Sequence, residues 1–340
     1  MTKQRIISTW YFEQNSDFGG YYPQNSGPAH TKMFRDTYRR CIYVFFASAR
    51  ESNPDSKLVL FLNTAWKTNS SKISREVETK LNQLGVEIIV IEYTYGISLT
   101  RSLWKNQFFV LDIIKYAYEN WSSNNLLLIL DSDIIWNPHI DSEDFWSELS
   151  QSGLLTYEIP YSASDEINGL TRVELTSISE AIEQRDIQLI PYFGGEFIAF
   201  DMTIIEQIFQ RIKKDYIIHL SRVAEGLPTF TEEAHFLSHV FSKIDHPNHD
   251  ASRFIKRIWT MVLKFQNSVD SDKSLLLLHL PSEKNYGIRR LYKKSLKVKK
   301  FSEIFKFSTV GIPRNSLLKI ILDSFWAMLR RARRQTKFFC

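Results

Sequence analysis

The run Leu126-Leu-Leu-Ile-Leu130 has no polar position that would let a strand show one face to water, and it ends in Asp131-Ser132-Asp133. A strand buried on both faces belongs inside a layered α/β structure, where helices cover both sides of a mostly parallel sheet. The preceding sequence agrees: Arg5 to Phe12, Lys57 to Asn63 and Val86 to Tyr93 read as further strands, and Thr31 to Ser48, Ser74 to Leu84 and Leu103 to Trp121 read as helices between them. In the last helix Val110, Ile114, Ala117 and Trp121 recur at helical spacing, so that face packs on the sheet. Ser74 is the expected cap of the helix that Gly85 stops.

Past Asp133 the pattern is less regular. It predicts helices at Ser142 to Ser150, Arg172 to Gln184, Asp201 to Lys213 and Thr231 to Phe241, and strands at Leu154 to Ile159 and Leu275 to Leu280. A polar loop runs through Asp165 to Gly169, and Ile187 to Phe200 reads as a strand or hairpin interrupted by Gly194-Gly195.

With 44% hydrophobic and 24% charged residues among 340, the chain has the apolar material for one large core, or one domain with a smaller appendage. Cys41 and Cys340 cannot build a disulfide framework, which fits a reducing compartment. The apolar run Ile6-Ile7-Ser8-Thr9-Trp10 is too short for a signal peptide, so a cytoplasmic location is expected. Charge is distributed unevenly: from Leu291 onward 13 Lys and Arg face only Glu303 and Asp323, a net +11 that leaves −6 for the rest of a chain whose total is +5. Such asymmetry points to an anionic partner, a membrane surface or nucleic acid.

Within that basic end, Leu318, Leu322, Phe325 and Leu329 form a helical stripe, widened by Leu317, Ile321 and Met328 and flanked by Lys319, Arg330, Arg331, Arg333 and Arg334. A basic amphipathic helix over 314–334 either docks on the domain or lies on an anionic membrane surface. The membrane is the preferred partner, at the inner face, and nucleic acid is not expected.

Asp131-Ser132-Asp133 follows its strand directly, at the sheet edge where α/β proteins bind ligands. Two hard carboxylates one residue apart suit a divalent cation bridging phosphates, although they also suit a strand end that caps the following turn. In this setting the segment resembles the Asp-x-Asp motif of the GT-A fold glycosyltransferases, and the resemblance covers most of residues 5–290. It implies a metal-dependent enzyme of GT-A-like fold, a mostly parallel central sheet flanked by helices. The donor would be a nucleoside diphosphate sugar, a UDP-sugar first, and the sugar would go to a glycan hydroxyl, with a lipid-linked glycan fitting the basic tail. The expected layout is a nucleotide-binding half at about 1–135, an acceptor-binding half at about 136–290, and a tail over 291–340.

The resemblance also implies roles for single residues. Asp133 would bind Mn²⁺ or Mg²⁺ directly, and Asp131 the ribose or the metal through water. His279, in Leu275-Leu-Leu-Leu-His-Leu-Pro281, matches the late histidine ligand, although a histidine ending an apolar strand is often simply a core residue. Lys284, or else Arg289 or Arg290, would grip the donor pyrophosphate. Gly194, Gly195 and Glu196 match the segment between donor sugar and acceptor, with a bulge or hairpin turn as the other account. Glu233, and beside it Glu232, match the catalytic carboxylate, where capping of a helix by Thr231 with acids in its first turn is itself sufficient. Trp10, Tyr11 and Phe12 would stack on the base or pack the core, and Arg101, Lys105 and Asn106 would reach the nucleotide.

Three further features carry weaker signals. His235 and His239 lie four apart, but Phe236 stands where a zincin has its glutamate. Asp245-His246-Pro-Asn-His249-Asp250 reads as turn-forming and stays unassigned. A sugar-1-phosphate nucleotidyltransferase would need a basic glycine-rich loop after the first strand, whereas Asn15 to Gly20 offers Gly19-Gly20 without a basic residue. A non-catalytic membrane- or nucleic-acid-binding protein using the tail is the reading from a different class.

Overall fold

The computed structural model describes residues 3–14, 29–96, 104–245, 248–261 and 265–313, with 317, 321, 324, 325 and 328 beyond them. Strands β1 (Gln4–Tyr11), β2 (Lys57–Leu62), β3 (Val86–Val90) and β4 (Asn125–Leu130) run parallel in the order β3-β2-β1-β4. Three later strands extend that sheet: β7 (Phe193–Asp201), antiparallel to β4, then β6 (Leu154–Glu158) and β8 (Asn248–Asp250). The result is a seven-stranded, mostly parallel sheet.

The continuous apolar run of β4 is explained by what lies on either side. Leu126, Leu128 and Leu130 point into one core layer, and Leu127 and Ile129 into the other. The first layer is covered by α1 (Lys32–Ser52), α2 (Lys72–Gln83), α4 (Glu143–Ser152) and α8 (Gly287–Ser295). The second is covered by α3 (Phe109–Asn120), α5 (Arg172–Glu183), α6 (Ile205–Ala224) and α7 (Glu233–Phe241). Because Leu128 is fully buried, truncating it to alanine costs about 2–5 kcal/mol.

A second, three-stranded sheet positions the site. It is ordered β5-β12-β9, from β5 (Ile134–Trp136), β12 (Leu277–His279) and β9 (Ile255–Arg257), with His279 opposite both Ile134 and Arg257. A small hairpin, β10 (Thr260–Met261) with β11 (Phe265–Gln266), follows β9.

Several boundaries differ from the sequence reading, each for a local reason. The cap of α2 is Ser71, whose side chain accepts from the Ser74 N–H at 3.0 Å. α1 continues four residues past Ser48, to Ser52, because Asn53 closes it, donating its backbone N–H to Ala49 O at 2.8 Å. α6 runs to Ala224 rather than Lys213, since Tyr216 and His219 bury beyond the lysines and the chain turns only at Gly226, φ +71°. β7 is one unbroken strand through Gly194-Gly195, and residues 187–192 are not in a strand. Glu232, not Thr231, occupies the cap position of α7.

The basic segment also begins later than expected. Leu291, Tyr292, Phe301, Ile304, Phe305, Val310 and Ile312 belong to the first core layer, so the packed region extends to about residue 312. Lysines interleaved with inward-facing apolar residues made this stretch look like a tail. Further on, the described residues Leu317, Ile321, Phe325 and Met328 are helical and exposed. Among the described residues no helix is long and apolar enough to cross a membrane.

Candidate active site at the sheet edge

The C-terminal ends of β1 and β4 and the start of β7 meet along one edge of the main sheet, and β12 closes on them from the small sheet. A backbone bond from Asp131 N to Glu196 O (3.1 Å) ties β4 to β7, and one from Leu280 N to Asp133 O (3.1 Å) ties the Asp-Ser-Asp turn to β12. The edge opens into a cavity of about 580 Å³. Of the residues singled out from sequence, it is lined by Trp10, Tyr11, Phe12, Asp131, Asp133, Gly195, Glu196, Glu232, Glu233, His279 and Lys284.

Asp131, Asp133 and His279 each direct a ligand atom to one point, within 4.8 Å of one another. His279 Nε2 stands 3.3 Å from Asp133 Oδ2 and 3.9 Å from Asp131 Oδ2, while Lys284 Nζ lies 2.7 Å from Asp133 Oδ2. Burial works against an ionised Asp133, but Lys284 and His279 outweigh it and hold that carboxyl well below the usual range. Burial likewise opposes a charged His279, and its carboxylate neighbours Asp133 and Glu196 reverse the balance, raising it to about 9. Asp131 has a side chain 37% exposed to the cavity yet deep within the fold; burial first and Asp133 second push it up to about 6.

The positive charge facing Asp133 thus comes from Lys284 and the His279 imidazole, a place a divalent cation would share. Two carboxylates and one imidazole suit a divalent cation. The donor set fits such an ion.

Behind His279 lies a layer that the sequence reading did not contain. Arg257 forks onto Glu196, Nε to Oε1 at 2.7 Å and Nη2 to Oε2 at 2.6 Å, and His279 Nδ1 is 3.1 Å from Glu196 Oε1. Burial disfavours the charge on Glu196, but Arg257 and His279 hold it ionised, well below the ordinary range. Glu196 belongs to the cavity wall, and both its oxygens are engaged by Arg257 and His279. Ile255-Lys-Arg-Ile-Trp259 shows no apolar–polar alternation, and nothing local says that Arg257 pairs with a residue 61 positions away.

The paired glycines supply room rather than unusual backbone. A Cβ on Gly194 would sit 2.3 Å from Glu196 Oε2, and one on Gly195 would sit 2.3 Å from Glu233 Oε1. Each glycine therefore leaves room for a neighbouring carboxylate, and Gly195 itself lines the cavity.

Those on α7 differ from each other. Glu232 accepts from Tyr192 OH at 2.8 Å and from the side chain of Asn168, itself at φ 47° in a turn. Glu233 Oε2 is buried with no hydrogen-bond partner among the described residues. Burial raises Glu232 to about 7, and burial together with Glu232 raises Glu233 well above its ordinary value. Tyr192 and Asn168 are further site residues that sequence reasoning missed.

Trp10 meets Phe109 edge-on at 6.1 Å, and Phe12 meets Tyr93 at 4.8 Å, so these rings both line the cavity and pack the core. Asn106 is buried and Lys105 is not part of the cavity wall, which takes Trp104 and Gln107 from that turn. Arg101 and the Asn15 to Gly20 loop lie outside the described residues. His235 sits 3.0 Å from Thr231 Oγ1 and His239 3.1 Å from Asp215 Oδ2, so the two histidines serve separate contacts. His249 pairs at the surface with Glu148, 2.7 Å away.

No family model and no curated protein matches the chain. Among solved structures, 81% of the chain is similar to 86% of a galactosyltransferase, LgtC, in complex with donor and acceptor sugar analogues, at 9% identity and TM-score 0.46. Similarly, 82% of it matches 46% of the WbbM bifunctional glycosyltransferase in its apo structure, at 10% identity and TM-score 0.45. The same share matches 97% of mouse xyloside xylosyltransferase 1 in its apo form, at 7% identity and TM-score 0.44.

Proposed function

We propose that the protein is a metal-dependent glycosyltransferase that moves a monosaccharide from a nucleoside diphosphate sugar, a UDP-sugar in the first instance, to a glycan hydroxyl. The observation that carries this reading is the convergence of Asp131, Asp133 and His279 on one point of a cavity that also contains Lys284 and the Glu232–Glu233 pair. A Mn²⁺ or Mg²⁺ held there would supply Lewis-acid neutralisation of the leaving diphosphate.

The chain's own residues do the rest. Asp133 and His279 would hold the ion, with Asp131 beside them. Lys284, charged because Asp133 outweighs its burial, provides a second positive group for the pyrophosphate. Trp10 presents a ring at the nucleoside end of the cavity. Glu233, in its ionised form, would take the acceptor hydroxyl's proton as the new carbon–oxygen bond forms, while Tyr192 and Asn168 hold Glu232 beside it.

The test is turnover of UDP- and GDP-sugars with and without Mn²⁺ in wild type and Asp133→Ala. Turnover indifferent to chelator, or equal in the two proteins, sinks the metal-site reading; release of pyrophosphate from a nucleoside triphosphate and a sugar phosphate would point to the nucleotidyltransferase instead.

The exposed apolar positions Leu317, Ile321, Phe325 and Met328, set among basic residues, support a peripheral membrane location and a lipid-linked glycan acceptor. Co-sedimentation with anionic vesicles checks this: binding that persists after deletion of residues 314–340 removes the anchor.

A further inference from the structure

The contact that most constrains the candidate metal site comes from behind it. Glu196 is 3% exposed and receives both arms of the Arg257 guanidinium. A carboxylate so clamped has no proton to give, so the 3.1 Å contact with His279 Nδ1 requires the imidazole to be the donor. The hydrogen on Nδ1 leaves Nε2 as the atom turned toward Asp131 and Asp133. Arg257 is itself fixed: its backbone N–H donates to Tyr157 OH at 3.0 Å, and Nη1 donates to Tyr161 OH at 3.2 Å. Gly194 leaves the volume that Glu196 Oε2 occupies.

We propose that Glu196, clamped by Arg257, is a positioning residue that fixes the His279 ring with Nδ1–H turned inward and Nε2 offered to a divalent cation shared with Asp131 and Asp133. The proposal rests on the metal-site reading above. Arg257 keeps Glu196 ionised without reaching the metal point, and Glu196 in turn makes His279 a better ligand, as carboxylates behind metal-bound histidines do. Neither residue touches the reacting atoms in this scheme.

The experiment measures Mn²⁺ binding by electron paramagnetic resonance, independently of turnover, in wild type, Asp133→Ala and Glu196→Gln, each checked for folding by circular dichroism. In parallel, ¹⁵N-histidine spectra of the diamagnetic Mg²⁺ complex report the His279 tautomer, its signal assigned by its loss in His279→Gln. Glu196→Gln is expected to weaken Mn²⁺ binding about 10–100-fold, and wild-type His279 to carry its proton on Nδ1. Arg257→Lys, which keeps the charge without the fork, is expected to lose less.

Glu196→Gln binding Mn²⁺ as tightly as wild type, with the tautomer unchanged, overturns the positioning role while leaving the metal site standing. Wild type that binds no Mn²⁺, or Asp133→Ala that binds it equally well, overturns both. Where the variants do not fold, the wild-type spectrum decides: a proton on Nε2 in the Mg²⁺ complex refutes the proposal.

Discussion

Two buried clusters in this protein are made of the same residue types and stand in opposite relation to their surroundings. Asp131, Asp133 and His279 gather at the sheet edge, and Glu183, Asp215 and His239 gather between α5, α6 and α7, each set with its ligand atoms within 4.8 Å. In the helical cluster Arg211 occupies the centre, pairing with both Glu183 and Asp215. The positive charge is already supplied by the chain, and those three residues do not line the cavity. At the sheet edge the protein's cations stand to one side: Lys284 holds Asp133 alone, and Arg257 is spent on Glu196. Donor identity and spacing are therefore not enough to mark a metal site. What separates the two is whether a side chain already fills the centre and whether that centre opens to a ligand.

The largest expected effect comes from removing the contrast at its open end. Asp133→Ala should lower transfer on the order of 10³-fold, the scale of several kcal/mol of lost metal-assisted stabilisation, while His239→Gln leaves kcat within a few-fold. Comparable losses in both variants would mean that the clusters share a role. Next is Arg211→Met, which strands two carboxylates among the helices. Urea denaturation should show a loss of about 3–5 kcal/mol with Mn²⁺ affinity unchanged, and weakened Mn²⁺ binding would place the helical cluster in the metal's path.

Ligand linkage gives a third, smaller measure. Mn²⁺ at about one hundred times its Kd should stabilise wild type by about 2.7 kcal/mol and Asp133→Ala by nothing, read as a shift in thermal unfolding. The same shift in both proteins would assign the stabilisation to another site.

A last comparison concerns pH. Burial raises Glu232 from an ordinary 4.5 to about 7, so the folded state retains a proton that the unfolded chain has lost in that window. Its stabilising contribution is complete below about 4.5 and disappears as pH rises through about 7. Glu232→Gln, which cannot titrate, should therefore gain stability relative to wild type between pH 5 and 8. A difference that stays flat across that range would show that Glu232 is ionised throughout.

Much of the architecture was legible because it depends on local periodicity. The uninterrupted apolar β4, the alternation of strands and helices before it, and the carboxylates at its end all follow from burial on both faces and from the sheet-edge position. Stops and caps were less legible, because α1, α2 and α6 end where a distant contact or a side-chain bond permits, as with Asn53, Ser71 and the buried His219. The onset of the basic segment was misplaced for a related reason. Charge counting registers the lysines after residue 290, but not that Leu291, Tyr292 and Phe301 between them face the core.

By itself, then, the sequence determined a two-faced sheet with acidic residues at its ligand-binding edge, since hydrophobic pattern and strand termini are properties of consecutive residues. Only the tertiary structure decided which acids remain open. Glu196 and Glu233 are both acidic residues beside a glycine pair or a helix start, yet one is closed by Arg257 and His279 and the other keeps an oxygen without a partner among the described residues. The difference arises from pairings across 61 and 83 positions, created when β9, β12 and β7 come together, and such contacts have no signature in any local window.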